Sequence, residues 1–108
     1  MTIAFDASSK KFVNNVASLT QAHTCSGADR VLVVALSSAD ADYMVSGTIT
    51  YGGVSLGTPV LSVLGNASQI IRLYVLPNPP AGTANIVVTP SQATYLNLVA
   101  ASYTGVNQ

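Results

Sequence analysis

A chain of 108 residues with 49% hydrophobic and only 7% charged side chains is one small domain, well supplied with core and poor in surface charge. Its four Lys and Arg balance four acidic residues to a formal net charge of zero. Lys10, Lys11, Arg30 and Arg72 are too scattered to form the basic face that nucleic acid requires, and disorder would need high net charge with low hydrophobicity.

Cys25 is alone, which excludes an intrachain disulfide and a thiolate metal cluster. The longest apolar run, 31–36, is far short of the ~20 residues of a membrane helix, and no apolar leader follows Met1-Thr2-Ile3. The expectation is a protein made in the cytoplasm, with no membrane partner and no visible export signal. A neutral surface of hydroxyls and amides resists self-association poorly, so much of it is expected to be covered in an assembly.

In chain order, short β-rich runs alternate with Gly, Pro, Asn and Ser roughly every ten residues. Residues 2–6 read as a first, edge strand, followed by a polar turn around 8–10. The segment 19–24 alternates well enough for a strand, and 27–29 is a turn. Residues 30–36 form the strongest strand; both faces are apolar, so it should be central and covered on both sides. Residues 37–43 read as a polar loop containing Asp40 and Asp42. Thr48-Ile49-Thr50-Tyr51, Gly52-Gly53 and Val54-Ser55-Leu56 spell a hairpin, because two adjacent glycines tolerate the positive φ of a primed turn. Its alternation places Ile49 and Tyr51 on one face.

A short strand over 60–64 comes next. In the long strand 69–76, Ile71, Leu73 and Val75 face one way and Ile70, Arg72, Tyr74 and Leu76 the other. The proline-rich stretch 77–82 must be a connection. A strand over 83–89 turns Ile86 and Val88 inward, and a last strand covers 94–103. The expected fold is all-β: a two-sheet antiparallel sandwich, jelly-roll or immunoglobulin-like, with seven to nine short strands and no significant helix, in one domain spanning 1–108. Without Trp or a Cys pair, a true antibody-type domain is disfavoured.

An ordered series of segments runs through the chain: Arg30-Val31-Leu32-Val33-Val34, Ile49-Thr50-Tyr51-Gly52-Gly53-Val54-Ser55-Leu56 and Arg72-Leu73-Tyr74-Val75-Leu76. It continues through 79–88 and ends in Ala101-Ser102-Tyr103-Thr104-Gly105-Val106-Asn107-Gln108. This series resembles a family of β-sandwich modules of tailed-phage virion proteins and large bacterial surface proteins. The resemblance implies a non-enzymatic structural protein of a bacteriophage virion, with a capsid decoration (cement) protein as the leading expectation. Its implied partners are the major capsid protein and copies of itself, on the capsid surface. The alternative it leaves open is a carbohydrate- or surface-binding adhesion module of a tail fibre or bacterial surface protein. Longer members of that family run past the Gly-Val-Asn-Gln tail, which leaves open strands supplied by a neighbouring subunit.

Candidate chemistry is sparse. His23, Cys25 and Asp29 lie within seven residues, and a strand would put His23 and Cys25 on one face; the residue types also suit a half-buried imidazole beside a small buried thiol. Zinc needs three or four ligands, and the chain offers one His and one Cys. Asp40 and Asp42 are too few for calcium. No catalytic residue, cofactor or metal is therefore expected. Arg72, on an otherwise apolar strand face, belongs either at the sandwich rim or in a subunit contact, and the tyrosines suit core packing, sugar stacking or a protein interface; Arg72, Tyr74 and Tyr43 are the candidate contacts with a neighbouring subunit.

Overall fold

The computed structural model describes residues 2–39, 47–66 and 69–106. Their strands are β1 (Ala4–Val16), β2 (Leu19–Cys25), β3 (Val31–Ala39), β4 (Thr48–Tyr51), β5 (Val54–Ser55), β6 (Leu61–Asn66), β7 (Gln69–Pro77), β8 (Gly82–Thr89) and β9 (Thr94–Thr104). There is no helix among the described residues. All pairings are antiparallel, in a larger sheet of order β1-β9-β3-β7-β6 and a smaller one of order β2-β8-β4-β5.

The pairs are nested: β1 with β9, β2 with β8, β3 with β7, β4 with β5. The chain is thus one long antiparallel ribbon whose successive rungs fall alternately in the larger and smaller sheets. Lateral pairing of β3 with β9 and of β4 with β8 closes it. This is jelly-roll rather than immunoglobulin connectivity, with β6 as an additional edge strand. Both strands of each nested pair belong to this chain.

Period-two alternation builds the core. Leu96, Leu98 and Ala100 of β9 and Leu32, Val34 and Leu36 of β3 point inward from the larger sheet. They meet Leu19 and Cys25 of β2, Ile49 and Tyr51 of β4, and Ile86 and Val88 of β8. The hairpin expected at Gly52-Gly53 forms, with φ of 58° and 82° at the two glycines, as a primed turn requires.

Three expectations are corrected. Residues 8–10 do not turn: β1 runs through them, because the long β9 offers a matching ladder that overrides the weak strand preference of Ser and Lys. Residues 37–39 belong to β3 rather than to a loop; all three pair with β7, and Ser37 and Ser38 pair with β9 as well. Strand β3 is central, yet it is covered by a layer on one side only: Val31, Val33 and Ala35 face outward and are half-buried. Asp40, Asp42 and Tyr43 lie outside the described residues.

Candidate functional site: an apolar outer sheet face and a buried serine–histidine network

The outer face of the larger sheet carries apolar side chains on every strand, with Ser8, Lys10, Ser37 and Asn97 among them. Ladder partners share a face, so the register assigns each residue. Phe5, Lys10 and Phe12 of β1 lie opposite Tyr103, Val99 and Asn97 of β9. Ala35 and Val33 of β3 lie between Val99 and Ala101 on one side and Leu73 and Val75 on the other. Leu61 and Val63 of β6 extend the face beyond Leu73 and Ile71. Phe5 and Phe12 are more than 60% exposed, and Ile71 and Val99 about half. Phe5 and Tyr103 meet edge to face, with ring centroids 6.1 Å apart. Lys10 is the only charged side chain that the register places on this face among the described residues.

The smaller sheet treats its outer face differently. Thr20 and Thr24 of β2, Thr83 and Asn85 of β8 and Thr48 of β4 cover it with hydroxyls and an amide. Low charge is therefore common to the whole chain, whereas an apolar exterior is specific to one sheet. Exposed apolar patches of this extent mark interaction surfaces. At one end of the face is a recess of about 340 Å³ lined by Phe12, Ser37, Ile71, Tyr95 and Asn97.

The second feature is polar and internal. His23 of β2 is buried against the larger sheet; its Nδ1 lies 2.8 Å from Ser9 Oγ and its Nε2 3.0 Å from Ser102 Oγ. Ser102 donates its one hydroxyl hydrogen to Asp6 Oδ2, at 2.7 Å. Ser102 must then accept from Nε2–H, which leaves Nδ1 to accept from the Ser9 hydroxyl. The chain of bonds points from Ser9 through His23 and Ser102 to Asp6, each polarising the next. Asp6 sits at a register shift between Phe5 and Ala7, and this bulge turns its carboxylate inward. Ser26 holds the same carboxylate through its backbone N–H at 2.9 Å and its hydroxyl at 2.6 Å.

These contacts set the ionisation. The hydroxyl of Ser26, then that of Ser102 and the Ser26 amide, hold the Asp6 carboxyl below its ordinary value. Burial pushes His23 down, opposed by the charge of Asp6, so the imidazole is neutral at pH 7. Tyr51 completes the cluster: its ring meets the imidazole edge-on at 6.3 Å, and its hydroxyl donates to the His23 carbonyl at 2.8 Å. Burial raises the Tyr51 hydroxyl well above its usual range. The network ties β1 and β9 of the larger sheet to β2 and β4 of the smaller, and no buried side-chain polar atom among the described residues lacks a partner.

Ser9, a hydroxyl directed at an unprotonated imidazole nitrogen, has the connectivity of a nucleophile and base. Neither the recess beside Phe12 and Tyr95 nor a second one beside Tyr74 and Ile49 is lined by Ser9 or His23. What the network supplies is a cross-sheet clamp. Replacing Ser102 with Ala orphans one buried ring nitrogen whichever tautomer follows, and should cost about 1–3 kcal/mol. The melting temperature should then fall by on the order of 10 °C, read by thermal unfolding at neutral pH; an unchanged transition would show that the clamp carries no stability.

As expected from their spacing, His23 and Cys25 are both buried on the inward face of β2, whereas Asp29 is exposed in the following turn with φ of 53° and joins neither. Tyr74 is only 3% exposed and belongs to the core, so its ring is not offered to a neighbour. Arg72 is half-buried on the inward face of β7, opposite Leu36 and Ser62. Tyr43 lies outside the described residues. No group of three or more His, Cys, Asp or Glu suited to a metal ion occurs among the described residues. Comparison of the chain with family models, with curated proteins and with solved structures finds no match to any of them.

Proposed function

We propose that this chain is a non-enzymatic structural protein of a phage virion, a capsid decoration protein that stabilises the shell by burying its own surface against capsid subunits and other copies of itself. The observation that carries this reading is the apolar outer face of the larger sheet, on a chain with almost no charge to keep such a face in water. The jelly-roll connectivity and the segment resemblance are consistent with a virion module but assign no site. Binding to the assembled shell, and not to the disassembled one, shifts the equilibrium toward the intact particle by mass action. Synthesis in the host cytoplasm followed by addition to the capsid surface needs neither cofactor nor nucleic acid.

The test uses particles from the genome that encodes the chain. Heads made without this gene are expected to open at lower temperature, and added purified chain should co-sediment with them and restore the difference. A chain that stays in the supernatant at every concentration overturns the proposal.

One observation favours a second reading, carbohydrate recognition: the recess joins the Phe12 and Tyr95 rings with Asn97 and Ser37 side chains, a pairing of flat apolar and hydrogen-bonding groups suited to a sugar. A glycan array without hits removes it.

A further inference from the structure

We infer that the outer face of the larger sheet is occupied by a second copy of this chain, the two sheets packing face to face about a two-fold axis. The inference rests on the reading of the chain as an assembling structural module and names the first partner of that face.

Three properties of the face select a second copy. The first is area. Five strands, nine residues long in β3 and β7, at about 4.8 Å between strands and about 3.3 Å per residue, make a face of roughly 700 Å². A stable interface needs about 800 Å² from each partner, so the corrugated surface of the whole face is of the right size and a fraction of it is not. The second is charge. Lys10, at the β1 edge, is the only charge the register puts there, so the face presents no pattern for an oppositely charged partner to read, and a neutral copy meets it without like-charge conflict.

Relief is the third property. The middle of the face is low at Ala35, Ser37 and Ala101, and it is flanked by raised sides, with Leu61, Ile71 and Leu73 on β6 and β7 and Phe5 and Phe12 on β1. A ridge beside a trough is self-complementary about a two-fold axis between them, because each copy's ridge enters the other's trough. Twisted sheets pack face to face in this way, with aligned strands and about 10 Å between layers.

Sedimentation velocity and light scattering across low to high micromolar concentration should give twice the 11.0 kDa chain mass. Ile71→Lys and Val99→Lys, at positions about half exposed and outside the core, should each halve that mass while keeping a native β-type circular dichroism spectrum. As a measurement that needs no variant, dilution of the wild-type protein should move the methyl resonances of Leu73 and Val99 and leave those of the buried Ile86 in place. A wild-type chain that remains monomeric throughout overturns the inference, as does a dimer that survives both substitutions or whose dilution moves only other resonances. Particle binding by a strictly monomeric wild type would sink the two-fold contact and leave the virion reading intact; a dimer of this face in a chain that binds no particle would do the reverse.

Discussion

Tyr51→Ala is expected to bring the domain close to unfolding at room temperature. Tyr51 is wholly buried in the smaller sheet's inner face, and its truncation leaves a cavity between the sheets at a cost of about 3–5 kcal/mol. A domain of this size has roughly 5–15 kcal/mol in total. The same change removes the hydroxyl that donates to the His23 carbonyl at 2.8 Å and the Gly82 carbonyl at 3.3 Å. Tyr51→Phe isolates that part: the ring stays, the donor goes, and about 1–3 kcal/mol should be lost. Urea unfolding of the two variants separates packing from hydrogen bonding, since both should lower the midpoint at an unchanged slope. Equal losses in the two would mean that the ring contributes no packing, contrary to its position in the core.

Acid should destabilise the fold in two stages. His23 binds a proton less readily in the folded chain than in the unfolded one, because burial disfavours its charged form. Below the ordinary imidazole value of 6.5, the unfolded state therefore takes up protons that the folded state refuses, and stability falls with pH. Asp6 adds to the loss lower down: its carboxylate is held ionised by Ser26 and Ser102, so its contribution is complete above 3.8 and declines as pH falls toward its lower folded value. Both contributions have the same sign. The melting temperature should be flat from pH 8 to about 7, begin to decline as pH falls below about 6.5, and decline further below about 4. In His23→Gln the first decline should vanish and the second remain. A wild-type transition that strengthens on mild acidification would show that the folded imidazole gains rather than loses proton affinity.

The strands were legible in the sequence because burial on one side of a sheet leaves a period-two record. Leu96, Leu98, Ala100 and Ser102 alternate with outward residues, as do Ile49 and Tyr51, and the glycine pair between β4 and β5 carries its turn type in its composition. Residues 8–10 left no such record, since their strand state comes from a partner more than eighty residues away.

The polar clamp was only partly legible. His23 and Cys25 could be placed on one face by their spacing, and Ser102 continues an inward apolar column of β9, which is the one signal that could have singled it out. Their convergence with Ser9 and Asp6 could not be read, because those residues are brought in across the sandwich and, at Asp6, by a bulge with no signature in composition. Tyr74 was misleading for the opposite reason. Its face of β7 reads as mixed because it carries Arg72, yet it is the inward one, and the more uniformly apolar Ile71-Leu73-Val75 face is the one left outside.

Alternation and turn residues alone thus determined an all-β sandwich with a doubly apolar central strand and a charge-poor exterior, because both depend on local periodicity and on composition. Which apolar face meets the core, which faces outward, and which serines reach His23 were decided only by the nested pairing of distant strands. Those choices depend on register between segments far apart in the chain, and a linear pattern with two apolar sides does not distinguish inside from outside.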